Sequence, residues 1–276
     1  MISKLLRTEV QTIKTYIPSP TLEQISQEIG IPMEKIAKLD SGENPYGERL
    51  LDKGMLKNIN FFTYPDPTCS KLRKKLSNYT GYDPEWITCG NGSDELIDLL
   101  IKLFVSKRDE IIVVPPTFSM YAFYSRLAGA KIVEVFRKEN FTIDSGKLID
   151  ALTPGTKMVF IDSPGNPTSV VVPTQTIERL LKKKIIVVVD EAYYEYCGKT
   201  VLPLVERYEN LIVLRTFSKW AGLAGLRVGY CVASPHIIQI LSAVKSPYNV
   251  NAVAQEMACF VLERKEKILQ EVNTMV

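Results

Sequence analysis

KIIVVVDEAYY, residues 184–194, sets five apolar residues in a row before two carboxylates. An alternating strand would leave one face in water. A run that is apolar on both faces predicts a strand covered on both sides. Runs of the same kind recur outward from it, in WITCG (86–90), EIIVV (110–114), AKIVEVF (130–136), KMVFID (157–162), NLIVLRTFSK (210–219) and VGYCVAS (228–234). Between them lie helical patterns, from Ser93 through LIDLLIKLF and in FSMYAFYSRLAG, DSGKLIDAL and TIERLLKK. Buried strands alternating with helices predict an α/β fold with a mostly parallel sheet, helices on both faces, and working residues at the carboxyl ends of the strands. Ahead of the first strand, TLEQISQEIG and MEKIAKL read as helices and SGENPYG as a loop; after Ser246, AVAQEMACFVLERKEKILQEV reads as one long helix.

Composition narrows the function. The 34 basic and 31 acidic residues leave a net charge of +3, too weak and scattered for a nucleic-acid partner. Lys182, Lys183 and Lys184 close a helix before a strand and read as a solvated face. Five cysteines form no CxxC or Cys/His cluster, so reduced thiols and no metal site are expected. The single histidine, His236, follows Ser-Pro at a helix start, and nothing near it supports a Ser–His–Asp or Cys–His hydrolase. MISKLLRTEVQTIK lacks the apolar core of a signal peptide and no run reaches transmembrane length, so a soluble, cytoplasmic protein without a membrane partner is expected.

Four strand ends carry chemistry: CGNGSDE, SPGNPTS, DEAY and TFSK. Gly90-Asn91-Gly92-Ser93-Asp94-Glu95 opens a helix, where free N–H groups suit a phosphate. The same Ser and Asp would equally serve as an N-cap. The Asp-Glu after IIVVV invites a P-loop reading with Gly198-Lys199-Thr200, but Tyr193 stands where the first glycine is needed, and the order is reversed. No GxGxxG follows a strand. Lys219 ends a buried strand among Thr216, Ser218 and Arg227. A lysine near a cation and away from water has a lowered pKa, so its neutral amine can attack a carbonyl. A cofactor that is both aldehyde and phosphate needs this amine, a phosphate cradle and a carboxylate together; pyridoxal phosphate meets that description.

The ordered set GENPYG, YPDP, GNGSDE, PPTFSMY, DSPGNPTS, VVVDEAYYEY and RTFSKWAGLAGLRVGY resembles the fold-type I, pyridoxal-phosphate-dependent aminotransferases of class I/II over nearly the whole chain. Within them it is most similar to the histidinol-phosphate aminotransferases, which act in histidine biosynthesis. The resemblance implies a three-layer α/β/α large domain like that of aspartate aminotransferase. It implies that Lys219 holds the cofactor as a Schiff base and then moves a proton between the substrate α-carbon and the cofactor C4′. Asp190 would pair with the pyridine nitrogen, Asn166 and Tyr193 with the phenolic oxygen, and Phe118 would lie on the ring face. Gly92, Ser93, Asp94, Thr216, Ser218 and Arg227 would hold the phosphate. Tyr64 would reach the phosphate of a second subunit, making a homodimer with shared sites. The substrates implied are a small amino donor and a keto acid, histidinol phosphate with 2-oxoglutarate. An N-terminal arm would span 1–47, the cofactor-binding domain 48–250, and a connecting helix 251–276.

The chain departs from the family in two places. It ends at Val276, where a C-terminal small domain with an arginine for the substrate α-carboxylate is expected to follow. Gly42 stands where relatives commonly have asparagine. Three alternatives stay open: an aminotransferase for aromatic amino acids, a threonine-phosphate decarboxylase, and a shortened cofactor-binding chain with little activity.

Overall fold

The computed structural model describes residues 7–11, 16–44, 47, 54 and 59–275. Pro45 and Tyr46 of the GENPYG motif, most of MISKLLRTEVQTIK and the first residue of the expected cofactor domain, Glu48, lie outside them.

Seven strands form one sheet: β1 (Ile87–Asn91), β2 (Glu110–Val113), β3 (Lys131–Glu134), β4 (Thr156–Asp162), β5 (Ile186–Asp190), β6 (Leu211–Thr216) and β7 (Val228–Ala233), in the order β1-β7-β6-β5-β4-β2-β3. Only β7 runs against its neighbours. β6 and β7 are buried along their whole length and β4 at every residue but Lys157, as runs apolar on both faces require. One core lies on each side of the sheet. Leu96, Ile97, Leu100 and Ile101 of α3 (Gly92–Phe104) fill one, after α1 (Leu22–Ile29) and α2 (Ser70–Thr80) in chain order. Leu72 and Leu76 of α2 join the other.

Register brings the chemical strand ends to one edge. Asp162 of β4 lies opposite Asp190 of β5, and Asp190 opposite Leu214 of β6. The reversed β7 then levels β1 with β6, because Asn91 faces Val228 while Thr216 faces Gly229. Four loops separated by long stretches of sequence therefore open side by side.

Two helical expectations are corrected. MEKIAKL forms only a 3-10 turn at Met33–Lys35 with no buried residue. Seven residues whose apolar side chains enter no core cannot repay helix nucleation. The long terminal helix is two: Ala252–Glu263, buried on nearly every side, and Lys265–Asn273, which buries only Ile268 and Val272. Between them Arg264 leaves helical geometry (φ −112°, ψ 16°), with its guanidinium over the Phe260 ring. The Lys182–Lys184 run is exposed, as expected of a solvated face. No helix of the described residues is long and apolar enough to cross a membrane.

The junction of β7 with α3 is tight. A Cβ on Gly229 would lie 2.4 Å from the Ser93 amide nitrogen. Gly229→Ala is expected to destabilise the fold by about 1–3 kcal/mol in urea unfolding; an unchanged midpoint would mean that this backbone approach is not required.

Candidate active site

The strand ends enclose a cavity of about 130 Å³. Its wall includes Ser93, Asp94, Phe118, Asn166, Asp190, Tyr193, Thr216, Ser218, Lys219 and Arg227. Ten of the twelve predicted site residues thus meet on one cavity. Gly92 stands just behind it at the start of α3, with φ +79°, and a Cβ there would strike Arg227 Nη2 at 2.5 Å. That angle favours glycine, and a Cβ would displace the Arg227 guanidinium. Tyr64 is elsewhere: it is 80% exposed and stacked on Tyr248 with ring centroids 4.5 Å apart.

At GNGSDE the structure shows how the helix start is capped. Asn91, the residue before α3, makes no side-chain cap bond, and the Glu95 carboxylate accepts from the Asn91 amide at 2.6 Å. Asp94 accepts from Arg227 Nη2 at 2.9 Å. The first turn is left without a side-chain cap, beside a guanidinium, and that arrangement suits an anion. Arg227 Nη1 also donates to Ser218 Oγ at 3.3 Å, and Thr216 Oγ1 lies 3.0 Å from the same hydroxyl.

Lys219 Nζ donates to the Ser41 carbonyl at 2.6 Å, beneath the SGEN loop. Burial, and then the Arg227 charge, push its pKa below the usual lysine range, against a raising influence from Glu43, Asp94 and Asp190. Gly42 has φ +58°, and a Cβ there would sit 3.1 Å from Tyr193 Oη and 3.6 Å from Lys219 Nζ, so the departure at this position bears directly on the two.

Three carboxylates cluster at the ends of β4 and β5, and two have a cation. Asp162 is ion-paired with Arg137, and Glu191 with Arg215 at 2.8 Å; all four side chains are buried. Asp190 has no ion pair among the described residues. It accepts from Tyr121 Oη at 2.7 Å and from the Ala192 amide at 2.9 Å. Burial pushes its pKa up to about 6, with those two donors pulling back and Asp162 adding to the rise. A buried carboxylate supplied with donors but no cation is fitted to receive a positively charged partner from the cavity.

A family model described as aminotransferase class I and II matches residues 34–276. The chain belongs to the class I and II aminotransferases. A histidinol-phosphate aminotransferase of Roseiflexus castenholzii is 42% identical over 282 residues, covering all of this chain and 76% of its own. A chloroplastic histidinol-phosphate aminotransferase 1 of Arabidopsis thaliana is 39% identical over 276 residues, 99% of this chain and 66% of its own. The fold matches the crystal structure of histidinol-phosphate aminotransferase from Sinorhizobium meliloti in complex with pyridoxal-5′-phosphate, with a TM-score of 0.83, 23% identity, and coverage of 98% of this chain and 73% of that one.

In this aminotransferase, sequence reading missed Tyr121, Asp162, Pro164 and Ala192, which also line the cavity. Tyr121 was legible in principle. It lies one helical step after Phe118 in PPTFSMY, and its ring meets Phe118 edge-on at 5.5 Å and stacks on Phe160 at 4.7 Å.

The raised Asp190 pKa fixes a sign. A carboxyl whose pKa rises on folding favours the folded state below its unfolded value and loses that contribution as pH rises through the folded value. Cofactor-free protein should therefore lose stability between about pH 4 and pH 6 on account of Asp190. Asp190→Asn, with no charge to bury, should be more stable than the parent by up to about 3 kcal/mol at about pH 8 and indistinguishable from it near pH 4. Urea unfolding across that range reads the difference; parallel curves would contradict the buried, unpaired charge.

Proposed function

We propose that this aminotransferase binds pyridoxal phosphate in the cavity at the strand ends and transfers an amino group between histidinol phosphate and 2-oxoglutarate, forming glutamate, in histidine biosynthesis. The observation that carries the cofactor is the pairing, on one cavity, of a buried amine with a buried carboxylate that lacks a cation. The substrate reading rests on histidinol-phosphate aminotransferases about 40% identical over the whole chain.

Pyridoxal phosphate supplies an electron sink when bound. The residues present fit it. Asp190 would pair with the pyridine nitrogen and favour its protonated form, which would strengthen that sink. Lys219 Nζ, with its charge disfavoured by burial, would hold the cofactor through its carbonyl carbon and would be placed to act as the acid and base at the substrate α-carbon. Asn166 and Tyr193 would serve the phenolic oxygen and Phe118 the ring face. Gly92, Ser93 and Asp94 at the start of α3, with Thr216, Ser218 and Arg227, would hold the phosphate. An N-terminal arm (1–47), a cofactor-holding unit (48–250) and a following helical segment (251–276) make up this reading of the chain. Five free cysteines support a reducing, cytoplasmic setting.

The working unit in this reading is a homodimer. Tyr64 is exposed beside exposed Phe61 and Phe62, as a segment that meets a second copy would be. Sedimentation should give a dimer; a monomer that keeps full cofactor affinity contradicts this part.

Borohydride reduction of the loaded protein followed by peptide mass spectrometry should place the cofactor mass on Lys219. Lys219→Ala should still bind the cofactor through the phosphate cradle, carry no such mass, and form no glutamate from histidinol phosphate and 2-oxoglutarate. Cofactor trapped on another lysine, or glutamate formed by the variant, would refute the assignment.

A further inference from the structure

Asp162 lines the cavity but has no part in the roles above. Its side chain and that of Arg137 are almost completely buried, and the two are ion-paired at 2.5 Å. Arg137 is itself held on three sides, donating to the carbonyls of Val114 and Phe141 at 3.3 Å and to that of Asp162 at 3.4 Å. One Asp162 oxygen faces this clamp. The other, Oδ2, accepts the backbone amide of Asn166 at 2.7 Å. The guanidinium also backs the loop between them, since a Cβ on Gly165 would lie 3.1 Å from Arg137 Nη2.

Replacing a buried ion pair by apolar residues commonly costs a fold little or nothing, so stability alone does not account for this one. Its two carboxylate oxygens join a rigid strand end to one loop amide, that of the residue whose side chain is assigned to the phenolic oxygen. We propose that the Arg137–Asp162 pair is a positioning device that fixes Asn166, so that the Asn166 amide meets the phenolic oxygen of the cofactor. The pair also leaves Asp190, its neighbour in register, as the carboxylate of the two that is free to take the pyridine nitrogen. The inference rests on the cofactor reading above, and specifies which atom of the cofactor the pair acts on.

The test compares pyridoxal phosphate with its 3-deoxy analogue, which lacks only the phenolic oxygen. Asp162→Ala should weaken pyridoxal phosphate about tenfold, the loss expected for one hydrogen bond, and leave the analogue within about twofold. Adding Asp162→Ala to Asn166→Ala should cost nothing further, because both act through one contact. Arg137→Met/Asp162→Ala, which strands neither charge of the pair, should repeat the pattern if the single variant folds poorly. Equal losses for both ligands, or additive losses in the double variant, would reduce the pair to a structural role and overturn the inference. Wild-type protein that fails to bind pyridoxal phosphate would overturn the cofactor reading itself.

Discussion

Asp190 is a buried carboxylate at the end of a central strand, and no cation among the described residues neutralises it. Burying an unpaired charge is among the costliest things a fold can do. Here the cost is eased by a tyrosine hydroxyl and one backbone amide, which hold the carboxylate pointed without cancelling its charge. Its neighbours Asp162 and Glu191 show the alternative, for each has an arginine of its own. Three acids at two adjacent strand ends are thus sorted into two structural pairs and one charge open to the cavity.

The topology makes that sorting useful. A single reversed strand, β7, sets the start of α3 level with the ends of β4, β5 and β6, so an uncapped helix start and Arg227 confront Asp190 across one cavity. Gly229 permits the approach, since its neighbour across the junction is the Ser93 backbone. Lys219 leaves β6 on the same edge and is drawn under the SGEN loop by the Ser41 carbonyl. Uncapped helix start, amine and carboxylate are fixed by three separate parts of the backbone. Their spacing is therefore a property of the sheet and not of any one loop.

Much of this was legible in the residues. Apolar runs on both faces announced the buried strands, and the order GNGSDE, SPGNPTS, DEAY, TFSK announced which ends would matter. What escaped depends on contacts between distant segments. Tyr121 reads as one more aromatic on an amphipathic helix until its hydroxyl is seen on Asp190, 69 residues away. Asp162 reads as an ordinary strand-ending acid until buried Arg137, 25 residues earlier, is found to hold it. Periodicity also overreached at MEKIAKL and across Arg264: it records which residues could share a face, while packing and local backbone geometry decide whether one helix forms.

In the proposed cofactor complex the Asp190 charge would be complemented by a protonated pyridine nitrogen. The nitrogen-15 chemical shift of ring-labelled pyridoxal phosphate bound to the protein reads that proton directly. The account predicts a protonated nitrogen in the parent well above the pH at which the free cofactor loses the proton, and an unprotonated one in Asp190→Asn. An unprotonated ring nitrogen in the parent at neutral pH would contradict it.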